Sequence, residues 1–110
     1  MKERIPFLNR GPLVAVIRLN GSIGTGSRSQ LNDEALAPVI EKAFKRGKPR
    51  AVALLINSPG GSPVQSSLIA SRIRRLADEK NIPVHAFVED VAASGGYWLA
   101  CAGDHIWLDF

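Results

Sequence analysis

The sequence has 110 residues, 45% hydrophobic and 22% charged, which suits one small globular domain and excludes a disordered chain. Its formal charge of +4 comes largely from KAFKRGKPR (Lys42 to Arg50) and RIRR (Arg72 to Arg75). Phe44 is the one aromatic within these clusters, which is not the interleaving a strand-binding groove requires, so no nucleic-acid groove is expected, and weak contact with an anionic lipid surface is the better partner for them.

Residues 1–12 read as a lead-in that lacks the apolar core of a signal peptide, and no run of about 18 apolar residues exists to span a bilayer. LVAVIRLN (Leu13 to Asn20) is β-branched and apolar, hence a strand, and GSIGTGSRSQ then breaks it as a mobile glycine-rich loop. Asn32 or Asp33 can cap a helix to about Arg46, within which Pro38 should cause a kink or a delayed start. AVALLIN (Ala51 to Asn57) is apolar without alternation, the mark of a strand covered on both faces. After SPGGSP, a helix is expected from about Val64 to Lys80, with Leu68, Ile69, Ile73 and Leu76 toward the core. IPVHAFVE (Ile82 to Glu89) is a third strand, AASGGYWLACAG a turn and helix, and DHIWLD a fourth strand. The single cysteine, Cys101, reads as a small buried hydrophobe. This β–α alternation predicts a layered α/β domain.

Two turns then stand at the carboxyl ends of consecutive strands, the edge where open α/β sheets gather their active sites. The glycines of SPGG allow positive φ and leave N–H groups unshielded, as an oxyanion hole requires. Ser94 falls at a strand-to-helix turn, and Ala92-Ala93-Ser94-Gly95-Gly96 approximates a nucleophile elbow with alanine for the first glycine. An ordinary proline-glycine turn and an ordinary N-cap are the competing readings of the same residues. His85 and His105 sit inside strands, and Lys42, Lys45, Lys48 and Lys80 occupy polar helix faces or ends, where a lysine stays protonated. No base for Ser94 is therefore evident. Glu89 and Asp90 flank the turn and could orient a substrate. One cysteine, two separated histidines and no phosphate-loop spacing give no reason to expect a metal or other cofactor.

AVALLINSPGGSPVQSSLIASRIRRLA followed by PVHAFVEDVAASGGYWLACAGDHIWLD resembles the signal peptide peptidase A family (SppA/SohB type), Ser–Lys serine proteases of the Clp/crotonase superfamily. The resemblance implies a Clp/crotonase-like fold of repeated β-α units. Residues 13–110 would be the N-terminal portion of the peptidase domain, incomplete at its C-terminus. It further implies Ser94 as nucleophile, with Gly60, Gly61 and Gly95 supplying the oxyanion hole. Glu89, Asp90 and Val91 would border a groove where an extended peptide or unfolded protein adds as a strand. The family's base lysine lies about fifty residues beyond the serine, whereas no lysine follows Ser94 here. In some double-length relatives the two residues come from different halves or from neighbouring subunits. A homo-oligomer with a buried bowl is thus implied, and the 110 residues alone are expected to be inactive. The expected location is cytoplasmic or peripheral to a membrane. Two other classes share this fold: a non-catalytic interaction module that has lost its base, and a crotonase-type acyl-CoA enzyme.

Overall fold

The residue pattern resolves, in a computed structural model that describes residues 13–26, 31–89 and 94–108 (Ser94 and Gly95 through their backbone), into alternating strands and helices. They are β1 (Val14–Asn20), α1 (Asp33–Lys45), β2 (Ala51–Asn57), α2 (Pro63–Lys80), β3 (Val84–Val88), α3 (Ser94–Ala100) and β4 (His105–Leu108). The strands pair in parallel, in the order β1-β2-β3-β4. The expected α/β alternation is observed throughout these residues. The lead-in of residues 1–12 lies outside them.

Local chemistry sets the helix ends. The Asn32 side chain accepts from the Ala35 N–H at 2.8 Å, and Asp33 and Glu34 place negative charge in the first turn of α1, where the helix dipole favours it. Pro38 does not delay that start; the helix runs through it. Glu34, whose carbonyl loses its partner to the proline ring, is exposed along with Pro38, so water can take the freed group. Ser62 caps α2, Pro63 opens it, and Asn81 closes it in the left-handed conformation at φ 57°.

Helices α1, α2 and α3 pack side by side on one face of the sheet. They bury Ile17 and Leu19 of β1, Val52, Leu54 and Ile56 of β2, and Val84, Ala86 and Val88 of β3 against Ile40, Phe44, Ile69, Ile73 and Leu99. The opposite face departs from the double coverage expected of AVALLIN. There Val16, Phe87 and Trp107 are 52%, 40% and 54% exposed among the described residues, and the Phe87 and Trp107 rings stack 6.3 Å apart. The uninterrupted apolar run reports that both faces avoid charge, not that both are covered by the residues described.

Cys101 is also a correction, since it is exposed rather than buried. Helix α3 is short, and Tyr97, Trp98 and Cys101 share the side turned from the sheet, while Leu99, Ala100 and Ala102 face the core.

One ion-pair group ties α1 to α2. Arg72 donates from Nε and Nη2 to the two carboxylate oxygens of Asp33, at 2.8 and 2.9 Å, and from Nη1 to Glu41 at 2.8 Å. The Arg72 hydrogen bonds hold the Asp33 carboxyl below its ordinary value of 3.8, against a smaller opposing effect of burial. Arg72→Ala should cost about 2 kcal/mol at neutral pH, since charged hydrogen bonds of this kind are worth about that much. A carboxyl depressed in the folded state stabilises above its unfolded pKa and ceases to as pH falls through the folded one. Urea midpoints of wild type and variant should therefore differ at pH 7 and draw together only as pH falls from the ordinary value of 3.8 through the depressed folded one. A gap that persists undiminished at low pH would assign Arg72 a packing role instead.

Candidate active site

The carboxyl ends of β1, β2 and β3 form one edge of the sheet, and those of β1 and β2 lead into segments that meet each other there. After β1 the chain does not simply loosen, as its glycines suggested. The Gly21 N–H extends the ladder to the Asn57 carbonyl at 3.1 Å, and Ile23 makes parallel bridges to both Leu31 and Gly61. Ile23 donates to the Gly60 carbonyl at 3.0 Å and accepts from the Ser62 N–H at 2.8 Å. On its other side the Gly24 N–H reaches Leu31 at 2.9 Å and the Leu31 N–H reaches Ser22 at 3.0 Å. Buried Ile23 and Leu31 side chains anchor this short brace. Residues 27–30 lie outside the described residues.

The brace grips the turn between β2 and α2 at Gly61. Gly60 and Gly61 have φ values of 104° and 148°, the region that side chains avoid. A Cβ on Gly61 would stand 2.0 Å from the Ile23 carbonyl oxygen, so the close approach itself demands glycine. The two glycine amides differ in availability. The Gly60 N–H donates to Ser58 Oγ at 3.1 Å, whereas the Gly61 N–H has no hydrogen-bond partner among the described residues. Immediately beyond, the N-terminus of the 18-residue helix α2 adds a fixed positive partial charge, with no acidic residue in its first turn to offset it.

On the neighbouring strand, Ser94 is the first residue of α3 and Gly95 the second. Helix α3 packs on β2, β3 and α2 and follows β3 as Gly60 and Gly61 follow β2, so Ser94 and the two glycines stand beyond the carboxyl ends of adjacent strands. Asp90 and Val91 lie outside the described residues. Glu89 is exposed and lines a shallow groove of about 460 Å³ with Leu55, Phe87, Val88, Trp107 and Leu108. Its amide is already committed to the Ile56 carbonyl at 2.9 Å.

The histidines stand elsewhere. His85 and His105 stack with ring centroids 5.0 Å apart, near the starts of β3 and β4, on the face turned from the helices. Lys42, Lys45, Lys48 and Lys80 are exposed, and the helix ends they occupy meet the amino ends of the strands. No group of three metal-ligating side chains occurs among the described residues. Sequence reasoning passed over Ser58 and Ile23. Ser58 stood within the SPGG motif as a mere turn residue, and the partnership of Ile23 depends on strands far apart in sequence.

Comparison with known proteins places these residues in context. The model of peptidase family S49 matches residues 76–109, which include Ser94 but not the SPGG turn. Over 87% of its length the chain is 54% identical to a protein of Brucella melitensis named Na(+)/H(+) antiporter NhaA, of which it spans 14%. It is 32% identical over 99% of its length to Protease 4 of Haemophilus influenzae, spanning 18% of that protein. It is 37% identical over 84% of its length to the chloroplastic serine protease SPPA of Arabidopsis thaliana, spanning 14% of it. The chain thus spans less than a fifth of each of these relatives.

Proposed function

This chain belongs to the S49 peptidase family, on its Clp/crotonase-like fold, and from that premise we propose that it carries the nucleophile and oxyanion donors of a serine endopeptidase. The observation that supports this most is the Gly61 N–H, unpartnered among the described residues, held at the end of β2 one strand from Ser94. Gly61 is exposed, so this amide is open to a ligand, and an amide kept free on a rigid support suits a charge that exists only during reaction.

In this reading, Ser94 Oγ attacks the carbonyl carbon of a peptide bond as its proton passes to a neutral lysine. The Gly61 and Gly95 N–H groups donate to the oxyanion. Collapse of the tetrahedral species breaks the C–N bond, and the lysine ammonium protonates the departing amine. Water, deprotonated by the same lysine, then hydrolyses the acyl-serine and returns the proton to Oγ. Lys42, Lys45, Lys48 and Lys80 are exposed and stand toward the amino ends of the strands, so in this reading the base is a lysine from another segment or subunit. Desolvation in an oligomeric bowl would keep that lysine neutral. Residues 13–110 are then one portion of a peptidase domain. Its substrates are extended peptides or unfolded proteins, remnant signal peptides and membrane-associated proteins among them, and its membrane contacts are peripheral.

The antiporter name of the Brucella protein does not favour a transport role for this stretch. No helix among the described residues is long and apolar enough to cross a membrane, and the S49 match falls within the chain itself. The test is covalent. A fluorophosphonate probe should label the full-length protein on Ser94, with the Oγ–P bond forming as fluoride leaves, and peptide mapping should locate the adduct. Labelling absent or on another serine would reject the assignment.

A further inference from the structure

We propose that Ser58 is a positioning residue for the oxyanion donor, an inference that rests on the serine-peptidase reading above. Ser58 is 0% exposed, and its Oγ accepts from the Gly60 N–H at 3.1 Å. Its own hydroxyl proton has no acceptor among the described residues. A buried hydroxyl with an unspent donor is a cost that alanine, of nearly the same volume, would avoid. What the hydroxyl does is fix the peptide between Pro59 and Gly60.

That peptide adjoins the one that carries the Gly61 N–H. Without Ser58 Oγ, the buried Gly60 N–H would seek another acceptor and the turn would rotate. Ile23 already holds the next two peptides through the Gly60 carbonyl and the Ser62 N–H. With Ser58 on the β2 side and Ile23 on the β1 side, the Gly61 peptide has no freedom left, and its N–H stays directed away from both supports. Ser58 touches no reacting atom in this account. It sets the aim of the group that does, and a misplacement of about 1 Å at such a group can cost about 100-fold in rate.

The experiment uses the full-length protein, labelled casein as substrate, and Ser94→Ala, Ser58→Ala and Ser58→Thr variants. Ser58→Ala should lower kcat by roughly 10- to 100-fold with KM within about twofold, because the oxyanion forms only in the transition state. Fluorophosphonate labelling of Ser94 should slow in parallel. Ser58→Thr, which keeps the acceptor oxygen, should recover most of the lost rate. Wild-type kcat in Ser58→Ala, while Ser94→Ala is dead, would overturn the positioning role and leave the peptidase reading standing. Full activity in Ser94→Ala would overturn both.

A second measurement needs no variant and covers the case in which Ser58→Ala does not fold. In the wild-type protein, amide hydrogen exchange should find the Gly60 N–H protected and the Gly61 N–H fast. Equal exchange at the two glycines would overturn the proposal.

Discussion

A full-length Ser94→Ala protein is expected to fold normally and to lose peptide hydrolysis by about 10⁴-fold or more in kcat. Removing the nucleophile of a serine peptidase disables the whole catalytic unit, and what survives is the smaller acceleration from oxyanion donors and substrate binding. Folding should be spared, since Ser94 is the first residue of α3 and alanine favours a helix at least as well as serine. The check is a turnover assay on unfolded protein beside a thermal melt. An intact melt with intact turnover would remove Ser94 from the chemistry and would favour the interaction-module class raised by the sequence.

The second large effect is expected at Gly61. An added methyl group meets the Ile23 carbonyl oxygen at 2.0 Å and must adopt a φ of 148°. Neither side can give way cheaply. The Ile23 carbonyl is engaged by Ser62, its N–H by Gly60, and its neighbours Ser22 and Gly24 are tied to Leu31. Gly61→Ala should therefore open the turn, lose the two bonds to Ile23, and cost roughly 2–4 kcal/mol from strain and broken hydrogen bonds. Turnover should fall by about 100-fold or more even at temperatures where the variant is folded, because the oxyanion donor moves with the turn. Urea titration and steady-state kinetics on one preparation separate the two losses. A stable variant that keeps wild-type kcat would show that this amide is not used.

Most of this architecture could be read from residue spacing. The apolar runs and the cap expected at Asn32 or Asp33 locate the strands and helices of the described residues, with most boundaries off by a residue or two. The exceptions share a cause, since each depends on what lies across from a residue rather than beside it. Pro38 looked like a break because its ring opposes a helix, but an exposed carbonyl can turn to water. Cys101 looked buried because its neighbours are apolar, yet the chain turns after α3 so that Ala100 and Ala102 face the core while Cys101 between them faces out. AVALLIN looked doubly covered, although composition cannot say whether a second layer is present.

The site divides in the same way. SPGG and ASGG announced themselves as paired turns, and among the described residues Gly60, Gly61 and the first residues of α3 stand beyond the carboxyl ends of neighbouring strands. The unequal roles of Gly60 and Gly61 were invisible, because they arise from Ser58 on one side and from a brace contributed by a distant segment on the other.

The strand order has a consequence for how the protein is made. Because β1, β2, β3 and β4 lie in the sheet as they lie in the chain, no strand must be inserted between two that are already paired. A ribosome releasing this sequence delivers each β-α unit in the order in which the units pair in the sheet. Each arrival has its partner waiting and its crossover helix available to cover the new surface. Parallel pairing, which is slow when remote segments must search for each other, becomes a series of local additions.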